Sequence, residues 1–193
     1  GQIQLNTDEV DEIKYLINKK GNNFNIISNV NLENLNLKKI KNLEKIFPKI
    51  NDEIILSDQK INIEYKNKNL LVSGKGKIKL DKVFENIDYI ISKKNEKTNF
   101  NLNLSLTKTK FKLTPLNYKK KENSKFLFNI KGNYQDNKKL IVNNFSILED
   151  KHKIILKNLV LGKKKLIIQV DEIDFDYIDT ENKINKLTIK MSD

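Results

Sequence analysis

The chain contains no cysteine, no arginine, no alanine and no tryptophan, and a single histidine and a single methionine. Without cysteine there is no disulfide framework and no cysteine-bound zinc. That lack permits an oxidising compartment without requiring one. Without arginine there is no bidentate fork of the kind that sequence-reading nucleic-acid proteins place on guanine edges and phosphates. No apolar run approaches the ~20 residues that span a bilayer as a helix, and no secretory signal pattern is visible. The first residue is glycine rather than methionine, and we expect the chain to be a piece of a longer protein, with any anchor or targeting signal outside it.

Lysine, asparagine and isoleucine dominate what is present. All 37 basic residues are lysine, and the net charge is +12. These three residue types have AT-rich codons, so the lysine excess reads first as genome bias. A nonspecific attraction to phosphates, of nucleic acid or of anionic lipid headgroups, remains physically open. At 193 residues the chain can bury a sizeable core. We expect a single domain over 1–193.

The stretch from Asn99 to Leu166 carries the clearest pattern. Phe100, Leu102, Leu104 and Leu106 alternate with Asn101, Asn103 and Ser105. Side chains alternate faces along a strand, so this run has an oily face and a wet one, with an oily strip ~20 Å long. The rhythm recurs in Phe111 and Leu113, in Phe126, Phe128 and Ile130, in Leu140 and Val142, and in Phe145 and Ile147. It returns in Ile154 to Leu156, in Leu166, Ile168 and Val170, in Ile173, Phe175 and Tyr177, and in Leu187, Ile189 and Met191. Earlier, Ile61, Ile63 and Tyr65 alternate with polar residues, and Val72, Gly74, Gly76, Ile78 and Leu80 share a face opposite Ser73, Lys75, Lys77 and Lys79.

Turns are expected at Asn67-Lys68-Asn69, Asn95 to Thr98, Asp136-Asn137, Glu149-Asp150-Lys151 and Gly162-Lys163. Pro115 and Lys119 to Lys121 interrupt the rhythm. The spacing over 54–193 is that of an antiparallel meander. Gln2 to Leu5 reads as a short strand, and Phe24 to Leu32 has a strand rhythm. Val83 to Ile91 is compatible with helix or strand. Two helices are expected. Over 7–21, Thr7 would cap, Val10, Ile13 and Ile17 share a face, and Gly21 follows the last turn. Over 37–47, Leu37, Ile40, Leu43 and Phe47 form a stripe that Pro48 stops.

Catalytic signals are missing. His152 lies between two lysines at an expected turn with no triad spacing around it, and reads as an exposed turn residue. Asp171, Glu172, Asp174, Asp176 and Asp179 lack the glycine of a calcium loop, and Glu172, Asp174 and Asp176, alternating with Ile173, Phe175 and Tyr177, read as a wet strand face. Gly74 and Gly76 have the wrong spacing for a phosphate loop and read as a bulge or bend. The lysine runs 119–121 and 163–165 are either anion sites or solvated turns at a sheet edge. The aromatics Phe100, Phe111, Phe126, Phe128 and Phe145 line either a ligand groove or a sandwich core, and periodicity alone does not separate the two. No catalytic residue, no metal site and no cofactor is expected.

The segment Phe111-Lys112-Leu113-Thr114-Pro115-Leu116-Asn117-Tyr118-Lys119-Lys120, the strands at 125–131, 140–148 and 153–160, and the Leu161-Gly162 turn resemble the AsmA-like, YhdP-type proteins of Gram-negative bacteria. Phe47-Pro48, Ile61-x-Ile63-x-Tyr65 and Gly74-Lys75-Gly76-Lys77-Ile78 fit the same series. The resemblance spans roughly residue 43 onward as a loose cadence. It implies a curled antiparallel sheet forming an open β-groove, with one or two short helices. It also implies a periplasmic location, with the full-length protein anchored in the inner membrane. The implied function is a non-enzymatic conduit that carries phospholipid acyl chains between inner and outer membranes. On that reading the groove candidates are Phe100, Leu102, Leu104, Leu106, Phe111, Leu113, Phe126, Phe128, Ile130, Leu166, Ile168 and Val170. Lys119, Lys120 and Lys121 are the candidates for anionic headgroups. The alternatives are a sealed β-sandwich module and, less favoured, a basic nucleic-acid-binding β-domain.

Overall fold

A computed structural model describes residues 2–3, 10–20, 23–135, 139–162 and 166–191. In chain order the strands are β1 (Gln2–Ile3), β2 (Val10–Lys20), β3 (Asn23–Lys38), β4 (Glu53–Lys66), β5 (Asn69–Lys79), β6 (Phe84–Lys94) and β7 (Lys97–Leu106). Then follow β8 (Lys112–Leu113), β9 (Tyr118–Lys119), β10 (Phe126–Gln135), β11 (Lys139–Glu149), β12 (His152–Leu161), β13 (Ile167–Gln169), β14 (Glu172–Ile178) and β15 (Ile184–Lys190). Thirteen of these form one sheet in the order β1-β2-β3-β4-β5-β6-β7-β10-β11-β12-β14-β15, with β13 beside β12. Every pairing is antiparallel, and the two ends of the order do not meet, so the sheet is not a closed barrel. The fold is mainly β, as the meander cadence implies.

Register explains the two faces. Leu104 stands beside Ile87 on β6 and Phe128 on β10; Phe128 in turn stands beside Ile147, and Ile147 beside Ile154. The residues between them make a polar face. There Asn129 donates to Asn101 (2.8 Å) and Asn103 (2.6 Å), and Asn144 donates to Asn129 (2.7 Å). Lys157 pairs with Glu172 at 2.8 Å, and Lys153 pairs with Asp174, whose carboxyl is held below its ordinary range chiefly by that hydrogen bond. The acidic run is therefore a wet strand face, as its alternation with Ile173, Phe175 and Tyr177 suggests. No metal-holding acidic cluster occurs among the described residues. Asparagine also serves the turns: all but one of the non-glycine residues at positive φ are Asn or Asp, Asn67, Asn95 and Asp150 among them, and these residue types tolerate the left-handed region best.

The sheet curls. Ring contacts of 5.5, 6.4 and 5.6 Å lead from Phe47, just before β4, through Phe111 and Tyr118 to Tyr177 on β14. Laid flat at ~4.8 Å per strand, the seven steps from β4 to β14 would take roughly 34 Å. Two segments fill the inside of the curl at this end: residues 39–52 between β3 and β4, and residues 107–125 between β7 and β10. The second contains the small β8–β9 sheet, and the Lys112 N–H donates to the Ile46 carbonyl at 2.9 Å. Among the described residues this pair is the only other sheet. There is no second layer of the size a β-sandwich needs.

Both expected helices need correction. Residues 10–20 of the 7–21 helix are strand β2, paired with β3, with a register shift between Val10 and Glu12. The spacing of Val10, Ile13 and Ile17 in the sequence fits a helix as well as a bulged strand, and the backbone pairing with β3 decides between them. Thr7, Asp8, Glu9 and Gly21 lie outside the described residues. In the 37–47 helix, Leu37 and Lys38 end β3, and only Leu43–Lys45 turns, as 3-10 helix. Phe47 and the half-buried Leu43 instead pack into the core. The meander also extends beyond 54–193, since β1 to β3 belong to it. The ambiguous 83–91 stretch is strand β6, the strand at Gln2 continues only as far as Ile3 among the described residues, and the turn at Asp136-Asn137 lies outside them.

An open-ended apolar trough as candidate functional site

The oily face changes character along its strands. On β10, Phe126 is 0% exposed, Phe128 and Ile130 are half-buried, and Tyr134 is 41% exposed. On β6, Ile87 is buried, Tyr89 half-buried and Ile91 41% exposed. On β7, Leu106 and Leu104 are buried while Leu102 and Phe100 are half-buried. Ile54, Ile78, Ile147 and Ile154 repeat the sealed end on β4, β5, β11 and β12. The wall is mostly apolar, and among the described residues its cover lies over one end, although Val142 on β11 is also buried towards the other.

The cover is held by side chains as well as by packing. Phe111 stacks at 4.9 Å from Phe126 and 6.0 Å from Phe128. The buried Glu85 carboxylate, at the start of β6, accepts the N–H groups of Thr107 (2.9 Å), Lys108 (2.8 Å) and Thr109 (2.9 Å). The buried Glu149 carboxylate, at the end of β11, accepts from the Tyr118 hydroxyl (2.8 Å), the Lys121 N–H (2.6 Å) and the Ser124 hydroxyl (2.5 Å). Burial and the adjacent Glu149 push the Tyr118 hydroxyl far above its usual pKa. The Tyr177 hydroxyl donates to the Leu116 carbonyl at 2.8 Å. Charge-assisted bonds of this kind are roughly twice as strong as neutral ones, so the two glutamates act as staples for the 107–125 plug.

At mid-wall two glycines make room. A Cβ on Gly74 would collide with the Tyr89 ring, and one on Gly76 with Gln59. Tyr89 thus lies across β5, and burial raises its pKa. The Gln59 amide donates to the Lys77 carbonyl at 2.8 Å, beside the bulge in β4 between Ser57 and Lys60. The bend expected from Gly74 and Gly76 is this bulge opposite them.

The groove candidates divide among three places. Phe100, Leu102, Phe128 and Ile130 line the half-buried wall, and Leu104, Leu106 and Phe126 form its sealed floor. Phe111 and Leu113 belong to the plug. Leu166, just before β13, and Ile168, within it, are 67% and 59% exposed, with Val170 half-buried after it. Phe145 continues the wall at 5.6 Å from Phe128.

Among the headgroup candidates, Lys119 and Lys121 are exposed on the plug. Lys120 is a correction: it is 4% exposed, and its ammonium donates to the carbonyls of Thr107 (2.5 Å) and Lys121 (3.0 Å). Burial pushes its pKa down, and it ties the plug together instead of meeting solvent. His152 opens β12 opposite Glu149 and is half-buried, not exposed, with Nδ1 buried and without a hydrogen-bond partner. The run 163–165 lies outside the described residues. Elsewhere, a shallow hollow on the polar face is lined by Asn29, Asn31, Lys60, Asn62, Lys75 and Asp88. No helix among the described residues is long and apolar enough to cross a membrane.

Sequence periodicity does not reveal the stapling glutamates, because Glu85 and Glu149 sit at strand ends where a charge reads as a turn. Their signal is register: each occupies an inward position, Glu85 beside Ile78 and Glu149 beside Phe126. Comparisons with protein-family models, with curated proteins and with solved structures gave no match.

Proposed function

We propose that this chain is a lipid-binding segment of a bridge-like transport protein of the AsmA-like kind. It shields phospholipid acyl chains in its trough during passage between the inner and outer membranes, without a chemical step. The observation that carries the reading is the burial gradient on one face of an unclosed, curled sheet: sealed at Phe126 and Ile154, exposed at Ile91. Contiguous exposed apolar surface on a folded domain marks a binding site. An acyl chain in water costs ~0.8 kcal/mol per methylene, so a lane of half-buried Phe, Leu and Ile can replace the bilayer as its solvent.

On this reading the protein works in the periplasm, and other parts of the full-length protein hold it to the inner membrane. Its partner is phospholipid, and nucleic acid is not among its ligands. Native mass spectrometry tests the proposal. Protein exposed to phospholipid liposomes and re-isolated should carry mass increments of one or more phospholipids; protein that stays bare would overturn it.

A further inference from the structure

The strand ends opposite the plug form a continuous row. Register places Lys66 beside Asn69, Asn69 beside Lys94, Lys94 beside Lys97, Lys97 beside Gln135 and Gln135 beside Lys139. The β4–β5 and β6–β7 turns and the paired strand ends Gln135 and Lys139 thus stand side by side at the end where Ile91 and Tyr134 are exposed. Lys66, Lys68, Lys93, Lys94, Lys97 and Lys139 are all exposed. Glu96 is the one acidic residue among the described residues of these turns.

None of those six lysines is in an ion pair among the described residues. At the plugged end Lys39 pairs with Asp52, Lys110 with Glu122 and Lys183 with Glu181, while Lys41, Lys45, Lys49 and Lys125 are exposed and likewise outside any ion pair among the described residues. The rim differs in that register sets its lysines in one row. Among the described residues the mouth of the trough therefore carries lysines outside any ion pair beside the exposed Ile91 and Tyr134.

We propose that this lysine-fringed rim docks the trough mouth-first on an anionic phospholipid bilayer. Like charges gathered along one edge, with no internal partners, leave attraction for a negatively charged surface. Each lysine near such a surface adds to binding, and the sum is screened by salt. The adjacent oily residues favour a bilayer over nucleic acid, because a lipid surface meets both the charge and the apolar mouth. A nucleic acid meets the charge, but its bases stack on several open aromatic faces, and among the described residues of this rim Tyr134 is the one exposed aromatic. The rim's purpose rests on the lipid reading of the trough; its binding to a charged bilayer is measured separately.

The test is co-flotation of the whole chain with vesicles of phosphatidylcholine alone and of phosphatidylcholine with roughly one third phosphatidylglycerol, at low salt and at about 0.5 M. One variant changes all six rim lysines to glutamine. A control makes the same charge change at the plugged end: Lys41, Lys45, Lys49, Lys82, Lys125 and Lys151, all exposed, to glutamine. The unchanged protein should bind the anionic vesicles, lose them in high salt and ignore the neutral ones. The rim variant should bind at least about tenfold more weakly, and the control should stay within about twofold.

Equal loss in both variants would assign the binding to net charge and overturn the proposal. So would absence of binding to anionic vesicles, or equally tight binding of a single-stranded oligonucleotide that the rim variant also loses. Native mass spectrometry with short-chain phosphatidylcholine separates the two readings. The rim variant should load this neutral lipid as the unchanged chain does. If neither loads while anionic vesicles still bind, the trough reading fails and the rim stands.

Discussion

The two ends of one oily face differ in everything except composition. At the plugged end, Phe126, Ile147 and Ile154 are as deeply buried as any core residue, because residues 39–52 and 107–125 lie over them. At the other end the same alternation continues through Ile91, which is 41% exposed. The sheet therefore has a core at one end and a binding wall at the other. An apolar side chain is a structural element or a contact surface according to what the connecting segments do. Two connections at the plugged end, 39–52 and 107–125, are long and carry aromatics; the β4–β5 and β6–β7 connections at the mouth are tight turns.

The largest contrast lies in stability. Phe126→Ala should cost ~3–5 kcal/mol, read as a lower urea midpoint, because the plug cannot follow a ring removed from beneath it. Ile91→Ala at the mouth should cost under ~1 kcal/mol. Equal losses at the two positions would break the comparison.

Next in size is the staple. Glu149→Ala leaves the Tyr118 hydroxyl and the Lys121 N–H without their acceptor, at ~1–3 kcal/mol for each buried group left unsatisfied, while the Ser124 hydroxyl keeps the Lys121 carbonyl at 2.9 Å. Hydrogen exchange should accelerate over 107–125 first, while amides in the middle of β10 and β11 change less. Uniform acceleration would mean that the plug and the sheet are one cooperative unit.

The smallest effect is one of pH. The folded pKa of Tyr118 is raised by burial and by Glu149, so the folded state holds its proton more tightly than the unfolded chain does. Its contribution is complete below about pH 10, where an unfolded tyrosine ionises, and is lost as the pH rises above that. Tyr118→Phe should cost ~1 kcal/mol at neutral pH and flatten the alkaline fall in stability. An unchanged alkaline slope would place that titration elsewhere, Tyr89 and Tyr177 being the other raised tyrosines.

Much of the sheet is legible in the residues. The alternation of Phe100 to Leu106 with asparagine and serine is strand β7, and Asn67-Lys68 is a turn with both residues at positive φ. The β2 strand is hidden because its bulge displaces Val10 from the two-residue rhythm into helical spacing with Ile13 and Ile17. The plug is hidden because Phe111 and Leu113 keep strand rhythm while leaving the sheet. The wall residues Phe100, Leu102, Phe128 and Ile130 are readable, since a period of two assigns a face. Which of them stay accessible is not, since accessibility depends on where residues 107–125 come to rest. The rim lysines are each unremarkable in sequence, and only antiparallel register lines them up.

The absence of natural cysteine allows the most direct test. Ile90 and Ile91 are chain neighbours of similar exposure, 48% and 41%, on opposite faces of β6. A fluorophore on Ile91→Cys should be quenched when phospholipid with brominated acyl chains is added, and the same fluorophore on Ile90→Cys should not. Equal quenching at both positions, or none at Ile91→Cys, would contradict an acyl-chain site on the oily face.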